Sequence, residues 1–85
     1  MEKKEFVKAL EAVVADYLES ELQWGDSPMV EVDPSEFSVR VVTEEENPEL
    51  DYYDMMDLLT MSVDHPGQWE ADGDAIDSVA DSYFG

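Results

Sequence analysis

Between Phe6 and Leu22 the large apolar residues recur at Phe6, Leu10, Val13 and Tyr17, with Val14 and Leu18 beside them. Steps of four, three and four residues line one side of a 3.6-residue helix. Lys8, Glu11, Asp16 and Glu19 fall elsewhere on the wheel and stay in water. A stripe this broad needs an apolar surface opposite it, so the helix should lie across a sheet or between two other helices. It is expected from Lys3 to about Leu22, with Gly25 placed to end it and Trp24 folded back on it. Lysines at its start and Glu19 and Glu21 at its end oppose the macrodipole, so packing must hold it.

A chain of 85 residues makes a single domain, residues 1–85, with a modest core. Its 44% apolar content and nine aromatic residues suffice for that core and argue against a disordered acidic tail. The absence of cysteine excludes disulfides, a thiolate nucleophile and a sulfur-ligated zinc site. Nothing has the length or composition of a signal peptide or a membrane span. The expected location is therefore the cytoplasm.

Charge is the second constraint. There are 23 acids and four bases, for a net charge of −19. Lys3, Lys4 and Lys8 all lie in the first eight residues, which leaves 21 acids and only Arg40 in residues 9–85. Such a field repels nucleic acid and anionic membrane, so direct contact with either is not expected. It attracts basic protein surfaces, at rates that fall with salt.

Two strands should follow the helix. Val30 and Val32 alternate with Glu31 and Asp33 in Met29–Asp33; Phe37, Val39 and Val41 alternate with Ser38, Arg40 and Val42 in Phe37–Thr43. Asp33-Pro34-Ser35-Glu36 is suited to the hairpin turn, and Arg40 then pairs across it with an acid. After the acidic run Glu44-Glu45-Glu46, the order Asn47-Pro48-Glu49 predicts a helix start, with the helix running to about Leu59. Tyr52, Met55, Met56 and Leu59 would share its apolar face; Asp51, Asp54 and Asp57 would line another. Asp64-His65-Pro66-Gly67 is a turn by composition, and Trp69 is expected to anchor it to the core. A last helix begins at Asp72 or Asp74 and carries Ile76, Val79, Ala80, Tyr83 and Phe84 on one face, with Asp74, Asp77 and Asp81 off it. The predicted fold is thus a small α+β domain of order α-β-β-α-α, with a short antiparallel hairpin packed against helices on one face and the other face wet. Two strands are marginal; the candidates for a third are the Trp24 region, Ser62–Trp69 and a second subunit.

No enzyme is expected. Most acids are placed in water, where a carboxylate lacks the burial that raises its pKa for catalysis. His65 has no cysteine and no triad partner, and its neighbours mark a surface turn. The best metal candidate aligns Gly73 with the glycine of an EF-hand loop. That puts Gln68 at the first ligand position and Val79 at the last, where carboxylates are required. No metal site and no cofactor are expected.

The distribution of acids remains to be explained. A solvated helix face ordinarily mixes both signs. Here Glu44, Glu45, Glu46, Glu49, Asp51, Asp54 and Asp57, and secondarily Asp74, Asp77 and Asp81, have almost no lysine or arginine among them. These residues are the expected binding face for a basic partner, a nucleic-acid-binding protein in the sharpest form, with carboxylates standing where phosphates would. In size and charge the chain resembles the small acidic inhibitors that phages and mobile elements direct at restriction, repair and defence enzymes. Two other readings stay open. One is a self-associating module, such as a homodimer, whose contacts are apolar (Trp, Met, Tyr) and whose acids serve only solubility. The other is an acidic, high-salt proteome.

Overall fold

The computed structural model describes residues 2–20 and 28–85. The first helix, α1, spans Lys3–Ser20 and buries Phe6, Leu10 and Val14 completely. The expected helix stop at Gly25 and the packing of Trp24 lie outside the described residues. Strands β1 (Met29–Asp33) and β2 (Ser38–Val42) form the expected hairpin, with Glu31 opposite Arg40 and Val32 opposite Val39. Asp33 sets the turn. Its carboxylate accepts from the backbone N–H of Ser35 and the hydroxyl of Ser35, at 3.0 and 2.7 Å. Phe37 belongs to the turn and not to β2. It takes the left-handed φ of 53°, a costly geometry for a bulky residue. Aromatic packing compensates: its ring lies 4.7 Å from that of Phe84 and 5.9 Å from that of Phe6.

The expected second helix is replaced by other structure. Asn47 does accept a hydrogen bond from the Glu49 N–H, at 2.9 Å. After a short turn, however, Asp51–Asp54 becomes strand β3, antiparallel to β1. A single 3-10 turn, Met55–Leu58, stands in place of three helical turns, and strand β4 (Leu59–Met61) follows. The physical reason is the open edge of β1, whose backbone and buried side chains require a neighbour. Tyr52 and Tyr53 suit a strand, while aspartate and tyrosine are weak helix formers. The third strand thus comes from within residues 47–59, not from the three sources expected.

Strand β5 (Trp69–Ala71) pairs with β4 as a second, two-stranded sheet. Pro66 and Gly67 take the central positions of a turn closed by Gln68 N–H to the His65 carbonyl, at 3.0 Å. Gly67 has φ 91°, which that turn requires. Helix α2 (Gly73–Phe84) is capped by Asp72, whose side chain accepts from the Ala75 N–H at 3.1 Å, as one of the two expected starts. It contributes Ile76 and Ala80 to a core shared with Phe6, Leu10, Val14, Val30, Val32, Met55, Leu58 and Leu59. Helix α1 lies against α2, β2 and β5. The α+β class and a short antiparallel sheet packed against helices are as expected, with the 3-10 turn in the place of the middle helix. Three apolar placements differ: Tyr52 lies on the sheet face away from the helices, Met56 is exposed and Trp69 is half exposed, so none of them anchors the core.

Candidate acidic binding face

The strand order of the larger sheet is β2-β1-β3, so its outer strands run parallel and the chain must cross β1 between them. The connection, residues 43–50, carries Glu44, Glu45, Glu46 and Glu49, all exposed. Its side of the sheet follows from the register. Val30 and Val32 are buried under the helices, so Glu31 and its neighbours Arg40 and Tyr52 point away from them. The Asn47 N–H donates to the Tyr52 hydroxyl at 2.9 Å. The acidic connection therefore crosses the face remote from the helices.

That face is not simply wet. Glu31 retains 5% of its exposure. Its carboxylate accepts from Arg40 Nε at 2.6 Å and from the Tyr52 hydroxyl at 2.9 Å. The Arg40 bond, with a lesser contribution from Tyr52, holds Glu31 below the usual carboxylate range against the opposing effect of burial. Arg40 is raised in turn, first by Glu31, with Glu46 a smaller influence. The cross-strand ion pair was legible in the sequence. Tyr52 was not: it pins the connection to the sheet, and nothing in its sequence context distinguishes it from a residue on a helical stripe.

The ten acids do not form two helical rows. In β3, Asp51 and Tyr53 point to one side and Tyr52 and Asp54 to the other, so the expected row Asp51, Asp54, Asp57 does not exist. Asp54 and Asp57 are exposed. Asp51 is occupied: it accepts from the Tyr83 hydroxyl at 2.6 Å, and Tyr83 lies 2.7 Å from the Tyr53 hydroxyl. The one proton of Tyr83 goes to Asp51, so Tyr53 donates to Tyr83. Burial first, then the bonds to Asp51 and Tyr53, push Tyr83 far above the ordinary tyrosine range, so it remains a donor. On α2, Asp77 and Asp81 converge on Lys3 of α1, with Asp77 at 3.2 Å. Asp81 and then Asp77 raise the Lys3 pKa. Asp74 is exposed in the first turn of α2, where the dipole favours it.

Asp51 therefore differs from its neighbours. Asp51→Ala should lower stability by about 1–2 kcal/mol by removing the hydrogen bond from the Tyr83 hydroxyl to a charged acceptor, which leaves Tyr83 with Tyr53 as its one partner. Asp54→Ala and Asp57→Ala should stay within about 0.5 kcal/mol of the parent. Urea titration of the three variants checks this; equal effects would mean that the tyrosine–aspartate chain contributes nothing.

Among the described residues the ion pairs are Lys3 with Asp77 and Asp81, and Arg40 with Glu31. None takes a carboxylate from residues 44–57. Among these residues no three carboxylates or histidines come together as metal ligands, and His65 is exposed in its loop. No described helix is long and apolar enough to cross a membrane. In comparisons with known proteins, no family model matches the chain, no curated protein matches its sequence and no solved structure matches its fold.

Proposed function

We propose that this is a non-catalytic interaction protein of the cytoplasm that receives a basic protein surface on the acidic crossover and the carboxylates beside it. The supporting observation is the state of Glu44, Glu45, Glu46 and Glu49. All four are exposed, and the nearby cation Arg40 is already engaged by Glu31. From residue 41 to the C-terminus there is no lysine or arginine to neutralise them. Like charges held this close oppose folding, and a cationic partner relieves that repulsion. Nucleic-acid mimicry is the sharper form of this reading, with the carboxylates filling the groove of a DNA- or RNA-binding protein.

The test is capture from host lysate on the immobilised protein, eluted with a salt gradient and compared with the variant E44Q/E45Q/E46Q/E49Q. Nucleic-acid-binding proteins should leave the parent at moderate salt and the variant at much lower salt. The variant should fold as well as the parent or better. Elution of the same proteins at the same salt from both would remove the crossover as the site.

A second reading, self-association through apolar contacts, is favoured by one observation. Met61, Val63 and Trp69 all stand exposed on or beside the β4–β5 hairpin. A dimer that persists at high salt in size-exclusion chromatography would support it.

A further inference from the structure

The β4–β5 hairpin carries an apolar strip that the core does not use. Leu59 sits opposite Ala71 and Met61 opposite Trp69. Side chains two residues apart in a strand share a side, so Met61 and Trp69 continue the line of Leu59 and Ala71 outward past the edge of the core. Leu59 is buried and Ala71 partly so, whereas Met61 and Trp69 are 45% and 46% exposed. Cross-strand partners of this kind touch, and a thioether beside an indole makes an adaptable contact surface. Val63, in the loop that the two strands flank, is 91% exposed. An isolated exposed valine would be ordinary, but a tryptophan and a methionine paired on one strand face beside it are not.

The surrounding charge selects the occupant. Glu70 lies on the other side of β5 from Trp69, but Asp64 adjoins Val63 in the chain, and residues 41–85 contain no lysine or arginine to offset their acids. A second copy would bring the same acids against these. An uncharged apolar partner would leave the carboxylates desolvated and unpaired. We propose that Met61 and Trp69, with Val63, are the apolar anchor of a docking surface for a cationic polypeptide segment that presents aliphatic side chains among lysines or arginines. This rests on the reading that the partner is cationic and adds what distinguishes one cationic partner from another. The acids supply attraction common to all of them; the hairpin supplies a salt-insensitive preference.

Two labelled peptides separate these contributions by fluorescence anisotropy over a range of salt. One is lysine-rich with two leucines separated by one residue; the other has serines in their place. The leucine peptide should bind the parent roughly thirtyfold more tightly, the fold-change of one hot-spot contact. Trp69→Ala should erase that preference without altering the salt dependence. E44Q/E45Q/E46Q should flatten the salt dependence and keep the preference. Equal binding of the two peptides, or a preference that survives in folded Trp69→Ala, would overturn the anchor and leave the acidic-face reading standing. Failure of both peptides to bind at low salt would overturn both. Should Trp69→Ala lose its circular dichroism signal, Val63→Ser decides in its place, because that side chain is almost wholly in solvent. A reduced preference supports the anchor; an unchanged one refutes it.

Discussion

Phe6→Ala should leave a chain with no cooperative unfolding transition at 37 °C. Phe6 is fully buried near the start of α1, and three aromatic rings surround it. Those of Phe37, Tyr83 and Phe84 lie 5.9, 5.4 and 5.7 Å away, the first two edge-on. These three rings come from the β1–β2 turn and the end of α2, so Phe6 joins the sheet to both helices. Truncating a buried phenylalanine costs about 3–5 kcal/mol, and edge-on aromatic pairs are worth about 0.5–1.5 kcal/mol beyond their area. A domain of this length has about 4–13 kcal/mol in total. The charge of −19 places this one toward the lower end. The substitution also removes the packing that compensates for the left-handed backbone of Phe37. Phe6→Leu, which keeps most of the volume, should lower the urea midpoint and retain a sigmoidal transition. Circular dichroism in urea distinguishes the two variants; a sharp transition in Phe6→Ala would show that the ring cluster is not the keystone of the core.

The importance of Phe6 could be seen in the sequence, because a helical stripe is a local signal and α1 is long enough to express it. The hairpin and α2 were legible for the same reason. Each has an unbroken period of its own, with Asp33-Pro34 or Asp72 as punctuation. Residues 47–59 were not legible. Asn47-Pro48-Glu49 is a good helix start, and Tyr52, Met55, Met56 and Leu59 fit a helical face. The deciding influence lies about twenty residues earlier, in the open edge of β1, which no local pattern contains. The acids were visible as a composition but not as a surface. Reading Asp51, Asp54 and Asp57 as one row depended on the helix. In the strand, Asp51 is exposed on the helix side of the sheet, where it meets Tyr83, while the crossover acids lie on the opposite face. Lys3 likewise stands far in sequence from Asp77 and Asp81, and only the packing of α1 on α2 brings them together.

The second large effect is expected at Glu31. Glu31→Ala should cost about 2–3 kcal/mol, since two hydrogen bonds to a charged acceptor disappear and the Tyr52 hydroxyl loses one partner within the structure. The Arg40 side chain is mostly in solvent and can hydrate, which keeps the loss below that of a fully buried ion pair. Tyr52 also holds Asn47, so the variant should loosen the acidic crossover before the rest of the sheet, seen as faster amide exchange at Asn47 than at Val30 or Val32. The pH dependence follows in sign. Glu31 has a folded pKa below its unfolded value, so its contribution is fully present above the unfolded carboxylate pKa and disappears as pH falls through the folded one. The parent should therefore lose this increment on the acid side of the ordinary glutamate pKa, and Glu31→Ala should not. Mutual repulsion among the exposed acids acts in the opposite direction, because protonating them relieves it. The difference between parent and variant isolates Glu31, since both carry the rest of that repulsion. A gap in stability that stays constant from neutral pH to well below the glutamate pKa would mean that Glu31 is not the carboxylate binding Arg40 and Tyr52 to the sheet. The crossover would then need another tether.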